Sequence, residues 1–216
     1  GSAAAGAMTL IGGQPVAAAD GKKTFTILHT NDIHSNLIGM APSSDYTPFT
    51  LNDDATRGGF ARLATLIAER RDARKNQGPV LTLDGGDYSM GTAFAAATRE
   101  TGSELQLLSL MGYDATTFGN HDFDLGPEGT AQAIAAAAKA ARLPMVVASN
   151  TDFSANDATL AGLQRLAKDG LVRRHFVIER GGIRFGIFGL LGKEAQFYTD
   201  GAGAVKFADA VESARE

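Results

Sequence analysis

Phe25-Thr26-Ile27-Leu28 runs straight into His29-Thr30-Asn31-Asp32-Ile33-His34, so an apolar, β-branched run is followed at once by amide, carboxylate and imidazole side chains. Two later segments repeat the arrangement. Val80 to Leu83 leads into Asp84-Gly85-Gly86-Asp87, and Ala115 to Phe118 leads into Gly119-Asn120-His121-Asp122-Phe123-Asp124. Short runs of this kind, bounded by turn residues, read as strands. In an open α/β sheet the loops after the strand C-termini line one crevice, where ligands bind. Three such loops bring Asp, His and Asn side chains to one polar site. The economical reading is a metal centre, with two cations.

The residue types suit that chemistry. Hard and borderline divalent cations take carboxylate, amide-carbonyl and imidazole ligands. Asp32 and His34 are two apart, which places them on the same side of an extended segment. Asp87, after a Gly-Gly turn, has two carboxylate oxygens with which to bridge two cations, and Asn120 offers a neutral carbonyl oxygen to the second. Two cations about 3.5–4 Å apart position a hydroxide and stabilise the leaving oxygen of an in-line displacement.

The order D-x-H, G-G-D, G-N-H-D resembles the calcineurin-like metallophosphoesterases. The longer strings resemble the 5′-nucleotidase and UDP-sugar hydrolase branch: Ile27 to His34, Gly58-Gly59-Phe60-Ala61-Arg62, Gly86-Asp87 with Gly91-Thr92, and Gly119 to Asp124 followed by Leu125-Gly126. The resemblance implies an α/β fold, a layered sheet with flanking helices. It implies Asp32, His34, Asp87 and Asn120 as metal ligands. His121 becomes the acid that protonates or steadies the phosphoryl group, and Asp124 its partner. The cofactors would be two divalent ions, Mn, Zn, Co or Fe, with Mg less favoured by imidazole. The substrate would be a 5′-nucleotide or nucleotide sugar, with a cyclic nucleotide or a sulfur ester as the alternative on the same scaffold.

Family members continue with a further histidine and a G-H-x-H-like segment, whereas the histidines here stand only at positions 29, 34, 121 and 175. Residues 23–216 are therefore expected to be the N-terminal part of the domain, truncated before its last strands and ligand loops. The missing partner would be the remainder of its own chain. Alone, the segment is expected to hold at most one divalent ion, weakly, or to be a folded piece without turnover.

Composition sets the other bounds. With 216 residues, 44% of them hydrophobic, the chain can bury a core as one domain. A net charge of −4 gives no electrostatic invitation to nucleic acid or an anionic membrane. The absence of cysteine removes disulfides, thiolate ligands and cysteine nucleophiles, and leaves periplasm and cytoplasm equally open. Residues 1–22 read as a flexible segment. Gly1-Ser2 looks like a cloning scar, and Val16-Ala17-Ala18-Ala19-Asp20 resembles the end of a secretory signal, which favours a periplasmic or secreted protein. No run approaches the ~18 apolar residues of a membrane span.

Between the strands the pattern alternates as α/β chains do. A polar loop over the site is expected at Ala41 to Arg57. Phe60 to about Arg74 is expected as a helix with Phe60, Leu63, Ala64 and Ile67 on one face, and Arg70 to Lys75 as its solvated end. Ser103 is expected to cap a helix that ends near Met111 at an αL Gly112. Pro127 opens the alanine-rich helix to Leu143, whose Ala133–Ala141 row is a packing face, and Pro144 introduces the strand Met145 to Ala148. Arg180-Gly181-Gly182 marks a hairpin between His175–Glu179 and Ile183–Leu190. Val205 to Glu212 reads as the start of a helix. His29 is expected to be a hydrogen-bonded structural residue and His175 a surface one, with Asn150 at the crevice or away from it.

Overall fold

A computed structural model describes residues 22–40 and 56–216. The expected loop at 41–57 and the N-terminal segment thus lie largely outside the described residues. Along the chain come β1 (Thr26–Thr30), α1 (Phe60–Arg74), β2 (Val80–Asp84), α2 (Thr98–Thr101), α3 (Ser103–Leu110) and β3 (Ala115–Thr117). After them follow α4 (Gly126–Ala140), β4 (Met145–Val147), β5 (Thr151–Asp152), α5 (Ala161–Lys168), β6 (Val172–Arg173), β7 (His175–Arg180) and β8 (Ile183–Phe188). The last elements are α6 (Lys193–Gln196), β9 (Lys206–Phe207) and α7 (Ala210–Arg215).

β1, β2, β3, β4 and β6 form one parallel sheet in that order. Consecutive parallel strands need crossovers, which α1, α3, α4 and α5 supply. Register matters for function. Thr30 stands opposite Asp84 and Leu83 opposite Ala115, so the C-terminal ends of β1, β2 and β3 lie side by side. Their following loops must then meet.

The core lies where α3, α4 and α5 pack with β4 and the third site loop. Leu105, Leu108, Phe118, Phe123, Ile134, Val146, Leu160 and Leu163 are fully buried there. Ile134→Ala is expected to cost about 2–5 kcal/mol, because the lost contacts and the cavity add. Urea denaturation measures it; a loss under about 1 kcal/mol would mean that the site collapses onto the void.

Several elements depart from their sequence reading for identifiable reasons. Ser103 does not cap α3: Gly102, at φ 58°, precedes the helix, and the Ser103 hydroxyl donates to Glu104 Oε2 instead. Arg71 does not end α1 in solvent. Its guanidinium donates to Thr82 Oγ1, Met111 O and Gly112 O, strapping the helix to β2 and to the end of α3. Val205 to Glu212 is not helical throughout. β9 pairs with β5 first, and α7 begins only after Asp209, whose carboxylate accepts from Val211 N and Glu212 N. The hairpin forms with Gly181 and Gly182 both at positive φ, which two-residue hairpin turns require. Arg180 ties it to the sheet through Asp114 Oδ1 at 2.6 Å.

Candidate metal centre

The loop after β1 runs alongside the loop after β2. Asp32 N donates to Gly86 O at 3.0 Å, His34 N to Asp87 O at 2.9 Å, and Ser35 N to Tyr88 O at 3.1 Å. Five non-glycine residues among those described have positive φ: Asp32, His34, Ser35, Asp87 and Met90. All belong to these two loops. Left-handed backbone disfavours side-chain-bearing residues and persists only where the surroundings over-determine it. Asp32 and His34 therefore do not share an extended segment, as their spacing suggested. A left-handed turn brings them together.

The side chains converge. His34 Nε2 lies 3.6 Å from Asp32 Oδ1 and 3.9 Å from Asp87 Oδ2. Ligand atoms of Asp32, His34 and Asp87 all fall within 4.8 Å of one another, the one such group found among the described residues. Asn120 and His121 line the same cavity of about 440 Å³, with Tyr198 and Asp200 opposite. The His34 and His121 rings meet edge to face at 5.2 Å. Asn120 Nδ2 donates to Tyr198 O at 3.4 Å. No lysine or arginine among the described residues lines the cavity, so its carboxylates and imidazoles share it without a lysine or arginine cation. That donor set fits a hard or borderline divalent ion.

Each group is held by its neighbours. Asp87 Oδ1 accepts from His121 N at 2.8 Å, while burial raises the Asp87 pKa against that bond. His121 Nδ1 meets Asp124 Oδ2 at 2.8 Å, and this bond raises the imidazole pKa above its ordinary value. Among the described residues Nε2 has no hydrogen-bond partner, and His121 lines the cavity. Asp122 is buried beside them; burial raises its carboxyl pKa, while the donors Gly119 N, Ser89 N and Ser89 Oγ favour the carboxylate form.

The sequence reading missed several residues that shape the site. Asp84 is buried and accepts from Thr30 Oγ1, Thr116 Oγ1 and Gly86 N, locking three strand ends together. Glu104, fully buried on α3, accepts from the Ser35 and Thr98 hydroxyls. Tyr198 and Asp200 reach the cavity from beyond α6, with no motif around them to signal it. One other expectation is corrected, and one left open is decided. His29, expected to be a hydrogen-bonded structural residue, is exposed on β1, and its side chain makes no hydrogen bond among the described residues. Asn150 is buried away from the crevice, bonded to Leu191 and Ala208. His175 is exposed, as expected.

Residues 25–192 match the calcineurin-like phosphoesterase family description. The chain belongs to that family, a family of hydrolases. Within it, the similarity runs to 5′-nucleotidases. The rat (Rattus norvegicus) 5′-nucleotidase is 34% identical over 190 residues, which cover 87% of this chain and 29% of the relative. A 5′-nucleotidase precursor from Thermus thermophilus superposes with a TM-score of 0.64 at 32% identity, over 88% of this chain and 33% of that one. A sulfate thiohydrolase from the same genus shares the fold at a TM-score of 0.62 and 16% identity, over 92% of this chain and 41% of that one. The chain thus spans under a third of the length of the rat relative. The family implies divalent metal ions, and the Asp32–His34–Asp87 cluster is a possible site for one.

Proposed function

We propose that this chain carries the first part of a two-metal phosphoesterase centre that hydrolyses 5′-nucleotides or nucleotide sugars. The observation that carries the proposal is the convergence of Asp32, His34 and Asp87 to within 4.8 Å, beside Asn120 and the His121–Asp124 pair. Asp32 and His34 would hold one cation, Asn120 a second, and Asp87 would bridge them. When bound, divalent ions supply a hydroxide at neutral pH and offset charge on the phosphoryl oxygens.

The remaining work falls to the chain. Asp124 accepts a hydrogen bond from His121 Nδ1–H, which fixes the tautomer and favours the imidazolium. Nε2–H is then available to steady a phosphoryl oxygen or to protonate the leaving alkoxide. Asp87 cannot swing freely, because the His121 N–H holds one of its oxygens. The nucleotide substrate is supported by the similarity to 5′-nucleotidases. Export is supported by the small-residue stretch Val16 to Asp20 and by the precursor status of the Thermus relative. Among the described residues no helix is long and apolar enough to cross a membrane.

The test is phosphate release by the full-length protein, with Mn²⁺ or Zn²⁺ and after chelation, on 5′-AMP, a UDP-sugar, a 2′,3′-cyclic nucleotide and a sulfur ester. Metal-dependent release from the first two is expected. Turnover of only the cyclic or sulfur substrate would transfer the site to the alternative chemistry. Release indifferent to chelation would end the metal reading.

A further inference from the structure

Asp122 stands in the third loop but does not line the cavity, and its side chain is spent on the loops themselves. Its Oδ2 accepts from Asp87 N and from Gly119 N, both at 2.9 Å. Its Oδ1 accepts from Ser89 N at 3.2 Å and Ser89 Oγ at 2.9 Å. Its own carbonyl accepts from Thr130 Oγ1 at 2.7 Å, which anchors the loop to α4. All four acceptor positions of the carboxylate are thus occupied, three by backbone N–H groups. In return, Asp87 Oδ1 accepts from His121 N. The two loops are strapped in both directions, a side chain of each on the backbone of the other.

We propose that Asp122 is the positioning residue of the metal centre: by holding Asp87 N and Ser89 N it keeps Asp87 in its left-handed backbone and aims that carboxylate at the cavity. Asp87 has φ 51°, a conformation that a non-glycine residue leaves unless its surroundings hold it. The Asp87 N–H is directed at the Asp122 carboxylate. Without the acceptor, buried N–H groups at Asp87, Ser89 and Gly119 are left unsatisfied, and the segment relaxes to satisfy them. The Asp87 carboxylate then moves relative to Asp32 and His34, although none of the three ligands has been altered. Outer partners of this kind govern metal affinity without touching the metal.

The inference rests on the metal-centre reading, and the variants separate the two. Asp122→Ala removes every acceptor. Asp122→Asn keeps one carbonyl oxygen for Asp87 and Gly119, turns its amide to the Ser89 hydroxyl, and leaves Ser89 N without its acceptor. Titration with Mn²⁺ is expected to show about 10–100-fold weaker binding for the alanine variant. For the asparagine variant the loss is expected to be smaller, under about tenfold, because the acceptor facing Asp87 survives while that of Ser89 N is lost. At saturating Co²⁺, the visible spectrum of Asp122→Ala should differ from that of the unaltered protein, because the coordination itself has changed. A residue that only supports the fold would lower the thermal midpoint and leave affinity and saturated spectrum alone, which overturns the proposal. If the unaltered protein binds no metal, it is the metal-centre reading that falls. If Asp122→Ala does not fold, amide exchange in the metal-free, unaltered protein decides. A protected Asp87 N–H is required, and fast exchange at that amide in the folded protein refutes the positioning role.

Discussion

Asp87→Ala is expected to abolish divalent-metal binding, whereas His121→Ala is expected to keep the metal and lose about 10²–10⁴ in turnover. The two residues differ in what they touch. Asp87 Oδ2 lies 3.9 Å from His34 Nε2, within the cluster that Asp87 forms with Asp32 and His34, so its loss takes one of the three clustered donors away. His121 lines the same cavity but falls outside the cluster of Asp32, His34 and Asp87, so its removal leaves those three donors in place. Asp124→Asn should follow His121→Ala in direction with a smaller loss, because it removes the charge that orients the imidazole and leaves the ring. Metal content beside the rate, measured on the full-length protein, distinguishes these outcomes. If His121→Ala strips metal as fully as Asp87→Ala, His121 is a ligand, and the acid-and-partner assignment is wrong.

Gly119→Ala is expected to be nearly as damaging, although it adds a single methyl group. A Cβ on Gly119 would lie 2.0 Å from Asp87 Oδ1 and 2.5 Å from Asp87 N. The Asp87 backbone is tied to Asp122 and its carboxylate to His121 N, so the clash is relieved only by driving the carboxylate out of the cluster. Gly119 has no positive φ, so backbone strain does not confuse the comparison. Overpacking of this kind costs about 1–3 kcal/mol in stability. The larger effect is on metal binding, expected to fall by at least about 100-fold, beyond the usual reach of a neighbouring-shell change. Gly186→Ala is the control: nothing lies within 4 Å of the added Cβ, and stability should stay within about 0.5 kcal/mol. Titration with Mn²⁺ on both variants reads the result; unchanged affinity in Gly119→Ala would show that the two loops are looser than their contacts imply.

The parts of the molecule legible in its sequence are those that depend on local pattern. Each site loop follows a short apolar run, and parallel pairing of those runs leaves the loops no choice but to meet. The α1 helix runs from Phe60 to Arg74 as its apolar face required, and two glycines in succession announced the β7–β8 turn. What could not be read depends on contacts far apart in the chain. Ser35 and Glu104 are separated by 69 positions, and neither carries a motif that points to the other. Arg71 looked like one more charge at a helix end, and only the packing of α1 on β2 shows that Thr82 and two carbonyls claim it. Tyr198 and Asp200 enter the cavity because the chain returns after the hairpin, a matter of topology. The pairing of Asp32 with His34 was anticipated through the wrong geometry. Strand alternation suggested it, but positive φ at both residues produces it.

The central claim is that three strand-end loops build one metal centre around Asp32, His34 and Asp87. Anomalous diffraction from crystals of the protein soaked in Mn²⁺ tests it most directly. The account predicts a peak bounded by those three side chains, next to Asn120, and its disappearance in Asp87→Ala. A soaked crystal with Asp32, His34 and Asp87 in their present places and no peak among them, or a peak elsewhere that survives Asp87→Ala, would contradict it.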